Sequence, residues 1–269
     1  MELSLSCFDD APEFLDEDNR RFRIKNPVSR TQMLAKHEAL LPAETLKEKS
    51  ILDLGSCLGA TGHWCLSQGA RHYTGVEVQH TYAEQSRRLL GKYHAGKFTI
   101  IEQSVEQWLA QPRTEQFDIV CLLGVIYAFS DYFSILNSSA ALSRGIVAIE
   151  GLYPKVRNPA AFCGVVFEDS QRINMADKNA SVVGRGTRVS PKGLEWLMEE
   201  FGFDAPLGVI LPQRVTDIPD IYNRSFNSAG PVRYLMRFER GVDVARSVSS
   251  DLQEGAGRIE FWDRTLYEI

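Results

Sequence analysis

Apolar and polar positions divide this chain into short hydrophobic runs separated by amphipathic stretches, the pattern of strands alternating with helices. Ile51, Leu52 and Leu54 form the first run, and Gly55, Gly59 and Gly62 break it. A second apolar stretch, His63-Trp64-Cys65-Leu66, follows until Gly69 stops it, so the order predicted is strand, glycine turn, helix. Arg71–Val78 predicts a second strand, and about Gln79 to His94 a helix with Tyr82, Ser86, Leu89, Leu90 and Tyr93 on one face. Lys97–Ile101 is a third strand, and Ser104 with Gln107 has capping-box spacing for the next helix. Phe117–Val125 is almost continuously apolar, as in a strand buried on both faces. Ile126 to Asp131 leads into a helix ending near Ser143, and Gly145–Glu150 is a fifth strand.

The flanks are less regular. Residues 151–189 carry Pro, Gly and Asn without periodicity, too long a connection for a compact domain, and predict an inserted lid. Ser190 as cap, Pro191 in the first turn, and Leu194, Leu197, Met198 and Phe201 on one face predict a helix that Gly202 ends. Leu207–Leu211 and Val232–Phe238 predict two late strands, with Asp217–Gly230 a loop between them. Upstream, residues 1–25 form a loose leader or a cover. A helix opening at Pro27, capped by Asn26 or Ser29, would run to Leu41 with Met33, His37, Leu40 and Leu41 aligned. The division expected is a leader with a cap helix over 1–47, one α/β domain over 48–238, and an extension over 239–269. Within that extension, Ile259-Glu260-Phe261-Trp262 is apolar enough to dock on its own subunit or a partner.

Composition narrows the classes. The 269 residues are 44% apolar and 24% charged, ordinary for a globular protein, with a net charge of −5 and no lysine- or arginine-rich run. A dedicated nucleic-acid binder is disfavoured. No apolar run approaches the roughly 20 residues of a membrane helix, and the N-terminus does not read as a signal peptide. The five cysteines (7, 57, 65, 121 and 163) lack the paired spacing of a metal site. They read as reduced thiols, and a cytoplasmic location without a metal is expected.

Chemistry concentrates at the glycine turn. Glycines there let a ligand approach the backbone, and the carboxyl end of a parallel strand is where open α/β sheets bind ligands. Cys57 stands where a dinucleotide fingerprint wants a glycine, and Asp53 at the strand end would repel a pyrophosphate but suits a cationic amino group. S-adenosylmethionine (SAM) has that amino group and no phosphate. Glu77, 24 positions after Asp53, ends the second strand where a carboxylate can accept both ribose hydroxyls. Asp53, Gly55 and Gly59 resemble motif I of the class I SAM-dependent methyltransferases, Cys57 departing from it. Leu-Gly-Val-Ile-Tyr, residues 123–127, resembles the fourth-strand motif of members acting on small molecules or tRNA-modification intermediates.

The resemblance implies an α/β, doubly wound, Rossmann-like fold with a mostly parallel seven-stranded sheet and an antiparallel edge strand, and SAM as cofactor. It adds Ser56, Gln103, Ser104, Val105 and Leu123 to the cofactor-binding set, the 103–105 stretch holding adenine. It also implies a helix ahead of the first strand that closes over the cofactor. No Asn-Pro-Pro-Tyr-type motif is present, so the hallmark of exocyclic-amine nucleic-acid methylation is missing.

Tyr127 and Glu150 fall at the ligand edge of the sheet and are the candidate catalytic residues; Tyr127 also reads as a pocket wall, and Ser104 equally as a helix cap alone. His63 could reach the cofactor's carboxylate, but reads better as a partly exposed structural histidine. Tyr127, Tyr153, Arg185 and Arg188 are candidate substrate-binding residues. The insert carries six basic residues against three acidic ones, +3 in a chain of −5, which suits an anionic acceptor, although a solvated loop is the plainer explanation. The expected function is methyl transfer to O or N of a small-molecule acceptor by in-line displacement. The alternatives are a nucleotide-binding oxidoreductase and a non-catalytic SAM-binding or regulatory subunit. Oligomeric state stays open, a homodimer included.

Overall fold

The computed structural model describes residues 6–16, 36–153, 163–169, 185–209 and 232–240. The chain forms two compact units, Met1–Leu123 with Asn174–Val182, and Gly124–Ile173 with Val183–Ile269.

The first unit begins with two short helices, α1 (Ser6–Asp9) and α2 (Glu13–Asp16), and a helical segment α3 over 36–40. Four parallel strands follow: β1 (Ser50–Leu54), β2 (His72–Glu77), β3 (Phe98–Glu102) and β4 (Phe117–Leu123), in the order β3-β2-β1-β4. Between them run α4 (Ala60–Ser67), α5 (His80–Tyr93) and α6 (Val105–Leu109). The boundaries lie within one or two residues of those predicted, except that α4 starts at Ala60, three residues ahead of the apolar stretch from His63. Every α4 residue from Ala60 to Leu66 is buried, which explains why that helix has no polar face in the sequence. Asp118 fastens the start of β1 to β4, its Oδ2 accepting from both Ser50 N and Ser50 Oγ at 2.8 Å.

The leader is a packed cover over its described part. Phe8 and Phe14 are 0% and 2% exposed, and α1 and α2 contact α4. Burying each ring stabilises by about 1.5–3 kcal/mol. Of the helix expected from Pro27, residues 36–40 are observed; the rest lies outside the described residues.

The second unit opens with a short 3-10 turn (Ile126–Ala128) and α7 (Tyr132–Leu142), capped by Asp131, which accepts from Ser134 N at 3.1 Å. It continues with β5 (Ser143–Tyr153), β6 (Val165–Asp169), β7 (Arg185–Val189), α8 (Pro191–Glu200), β8 (Asp204–Val209) and β9 (Val232–Glu239). Strands β8 and β9 pair antiparallel and β9 also runs antiparallel to β5, so the two late strands form the expected antiparallel edge, with β8 outermost. Strand β5 is longer than predicted because β9 pairs along it from Ile146↔Glu239 to Tyr153↔Val232. The insert is not without regular structure: β6 and β7 form a separate antiparallel pair. Ser190 caps α8 as predicted, its Oγ accepting from Gly193 N at 3.1 Å. Residues 210–231 and 241–269, with the predicted loop and the apolar closing segment, lie outside the described residues.

The architecture is the α/β one expected, with four parallel strands in the first unit, three antiparallel strands in the second, and a mixed seven-stranded sheet. Among the described residues no helix is long and apolar enough to cross a membrane.

Candidate ligand-binding turn and acceptor residues

The turn after β1 is built on left-handed backbone. Gly55, Cys57 and Gly59 have φ of 83°, 49° and 80°, and Cys57 is the one without glycine's freedom. Gly55 N and Ser56 N donate to Val76 O at 2.9 and 3.0 Å, and Gly59 N donates to Ser56 O at 3.0 Å. Glu77 closes the arrangement, its Oε2 accepting from Cys57 N and its Oε1 from Gln79 N, both at 2.8 Å. Bonds from backbone N–H to a carboxylate are charge-assisted and stronger than neutral ones. Glu77 is therefore a buried clamp on the turn, 6% exposed, a role its place at the strand end did not suggest.

The glycines have separate reasons. A Cβ on Gly59 would sit 2.5 Å from Ser86 Oγ, and one on Gly75 in β2 would sit 2.7 Å from Ser56 Oγ. A Cβ on Gly62 would meet the Tyr73 ring at 2.6 Å, so Gly62 makes room for an aromatic in β2 and is not part of the turn. Ser56 Oγ and Ser86 Oγ are buried, and neither has a hydrogen-bond partner among the described residues. A buried hydroxyl left unpaired costs free energy, and a polar ligand at the turn would offer Ser56 a partner.

Asp53 lies in β1 beneath the turn and is 2% exposed. Tyr73 Oη donates to its Oδ2 at 2.7 Å. Burial raises its carboxyl to about 6, opposed by the hydrogen bonds from Tyr73 and Thr61 and by Lys36, and reinforced by Glu77. Ser104 caps α6, accepting from Gln107 N at 3.2 Å, with Gln103 half-buried and Val105 buried. Leu123 ends β4, half-buried. Sequence reasoning missed Val78, an apolar side chain 44% exposed immediately after Glu77; its signal is an aliphatic residue past the strand's last paired position.

His63 differs from expectation: it is buried at 3% exposure. Its Nε2 donates to Cys7 O at 2.8 Å, which leaves Nδ1 to accept from His94 Nε2 at 2.9 Å. Phe14 stacks on the ring at 4.5 Å. Burial depresses His63, and burial followed by His63 and Lys97 brings His94 down to about 4. The histidine is thus a clasp for the N-terminal helices, set by residues 56 and 31 positions away that no local pattern reveals.

In the second unit, Tyr127 and Glu150 converge over Gly124, which turns with φ 76°. A Cβ there would lie 3.7 Å from both Tyr127 Oη and Glu150 Oε2. Glu150 is 5% exposed, and its carbonyl accepts from Gly124 N at 3.0 Å. Strand β7 packs on the 3-10 turn that carries Tyr127, and Thr187 Oγ1 donates to Phe129 O at 2.6 Å. Arg188, in β7, is half-buried. Arg185 and Tyr153 are placed on β7 and β5, their side chains lying outside the described residues. The structure thus groups the cofactor candidates in the first unit and Tyr127, Glu150 and Arg188 in the second. Among the described residues no group of three or more His, Cys, Asp or Glu could hold a metal ion.

No protein-family model matches this sequence. No curated protein sequence matches it either. Solved structures do match in shape. The magnesium protoporphyrin IX methyltransferase of Synechocystis with bound SAM aligns at a TM-score of 0.55 and 10% identity, over 87% of this chain and 91% of its own. A SAM-dependent methyltransferase from Mesorhizobium loti aligns at 0.56 and 15%, over 79% and 98%. The 1,6-didemethyltoxoflavin-N1-methyltransferase of Burkholderia thailandensis, with its substrate and S-adenosylhomocysteine, aligns at 0.51 and 16%, over 88% of each chain. At such identities the likeness is one of fold.

Proposed function

We propose that this chain is a class I SAM-dependent methyltransferase acting on a small-molecule acceptor. The observation that carries this reading is the turn after β1: left-handed at Gly55, Cys57 and Gly59, clamped by Glu77, with the Asp53 carboxylate beneath it. The fold neighbours that hold SAM or S-adenosylhomocysteine support it.

The orphaned Ser56 hydroxyl fits an adenosyl amino acid, which offers polar partners at the turn. Gly55, Ser56 and Gly59 would line its amino-acid end, Glu77 its ribose, and Gln103, Ser104 and Val105 its adenine, with Val78 as a flat apolar surface. A carboxylate accepts at about four positions, so Glu77 can clamp the turn and take ribose hydroxyls as well. SAM supplies an electrophilic methyl group on a sulfonium. Tyr127 and Glu150 would orient a hydroxyl or amine acceptor, and Glu150 would receive the proton that acceptor loses. Arg188 would supply forked donors for an anionic group on the acceptor.

Calorimetry with S-adenosylhomocysteine and NADH is the first test, followed by a screen of acceptors with SAM labelled in its methyl group. Binding of S-adenosylhomocysteine with no measurable NADH binding is expected. NADH binding without S-adenosylhomocysteine binding overturns the reading. Once an acceptor is found, Arg188→Ala should raise its KM and leave cofactor affinity unchanged.

A further inference from the structure

We propose that Tyr73, Thr61 and His37 form a buried hydrogen-bond relay that holds Asp53 as counter-charge for an ammonium group at the glycine turn, which makes Tyr73 and Thr61 positioning residues for the ligand's amino-acid end. The proposal rests on the cofactor reading above and adds residues that no motif at the turn contains.

A carboxylate 2% exposed is costly unless donors surround it. The Tyr73 hydroxyl donates to Oδ2 at 2.7 Å, and the Thr61 hydroxyl acts on the carboxylate in the same sense, favouring its ionised form. A hydroxyl has one proton. If Thr61 gives its proton to Asp53, the 3.1 Å contact between Thr61 Oγ1 and His37 Nε2 must be donated by the histidine. The order is then His37 Nε2–H to Thr61 Oγ1–H to Asp53, with Tyr73 Oη–H approaching from the other side. His37 and Thr61 are 0% and 8% exposed. Four elements contribute one residue each: α3, α4, β1 and β2.

The relay has space cut for it, because the Tyr73 ring occupies the volume a side chain on Gly62 would need. An apolar residue at position 53 would pack in this core without any such network. The other groups acting on Asp53 are Lys36, which favours its ionised form, and Glu77, which opposes it. The Cys65 and Cys121 thiols are held protonated by burial first and by Asp53 next.

The consequence is a proton linkage. Asp53 sits at about 6, above its usual range, chiefly through burial. An incoming ammonium favours the ionised form, so binding below that pH releases a proton and affinity falls as the pH drops. Loss of either donor raises the carboxyl further and moves the fall to higher pH.

The test compares two ligands by calorimetry: S-adenosylhomocysteine, and 5′-methylthioadenosine, which keeps the adenosyl thioether and lacks the amino-acid end. Tyr73→Phe keeps the ring on Gly62 and removes only the hydroxyl; Thr61→Val does the same at the second donor. Each should weaken S-adenosylhomocysteine about tenfold, leave methylthioadenosine unchanged, and shift the pH dependence of the first ligand upward. Equal weakening of both ligands would show a merely structural role and overturn the proposal, as would unchanged S-adenosylhomocysteine affinity in both variants. Wild-type protein that binds neither ligand would instead remove the cofactor reading, and this proposal with it.

Discussion

Replacing Glu77 by glutamine keeps the size of the side chain and removes its charge. In the wild type both carboxylate oxygens accept backbone N–H groups at 2.8 Å, from Cys57 and Gln79. An amide oxygen can satisfy one of them, while the amide nitrogen then faces the other N–H, donor against donor. At least one charge-assisted bond is lost, worth about 1.5–3 kcal/mol. The site is 6% exposed, so water cannot readily substitute. For a chain of this size each kcal/mol lowers Tm by about 2–4 °C, giving a fall of roughly 3–12 °C for Glu77→Gln. Cys57 would also lose the bond that supports its φ of 49°, so affinity for S-adenosylhomocysteine should fall in the same variant. Thermal denaturation followed by circular dichroism, with calorimetry on the same samples, reads both quantities. A Tm within a degree of wild type would refute the clamp and return Glu77 to a ligand contact alone.

Three further outcomes follow from the same turn and its neighbours. Cys57→Gly should stabilise the protein by about 0.5–1 kcal/mol in urea denaturation, because glycine adopts φ of 49° without strain and keeps the N–H that Glu77 accepts; a loss of stability would contradict this. Gly62→Ala should cost about 2–4 kcal/mol in the same assay, since its Cβ would press on the Tyr73 ring at 2.6 Å, and a neutral result would mean that the ring moves freely. Lowering the pH through 6.5 towards 4 should loosen α1 and α2, because His63 and His94 are both depressed in the fold, so the unfolded chain binds more protons across that window and stability falls with pH. Asp53 is raised and acts in the opposite direction between about 3.8 and 6, so hydrogen exchange resolved to residues 6–16 and compared with β1 is the measurement; uniform change in both segments would refute the clasp.

Much of the first unit was legible because its signals are local. Ile51, Leu52 and Leu54 before three glycines specify a strand and a turn, and the Ser104 and Ser190 caps are set by residues three positions on. Asp53 and Glu77 were singled out as candidates for the same reason, since each ends a short apolar run. What was missed depends on distant partners. Gly62 is explained by Tyr73, a neighbour only across the sheet, and His63 by Cys7 and His94. The insert hid β6 and β7 because each is five residues long with charged ends, Asp169 opposite Arg185, too short for periodicity to register. The true length of β5 is likewise decided by β9, far along the chain.

That last pairing has a consequence for synthesis. Strands β1 and β2 meet across 22 positions, Ser50 with His72, whereas β5 and β9 join Ile146 to Glu239. Closing the longer loop costs more entropy, and the partner must first exist. A ribosome adding about 5–20 residues per second needs roughly 4–16 s to advance from the end of β5 to the start of β9. Throughout that interval the β5 edge awaiting β9 presents unpaired N–H and C=O groups. The nascent chain is therefore most open to misassociation while its first unit can already be folded, and holding chaperones would find their target on β5.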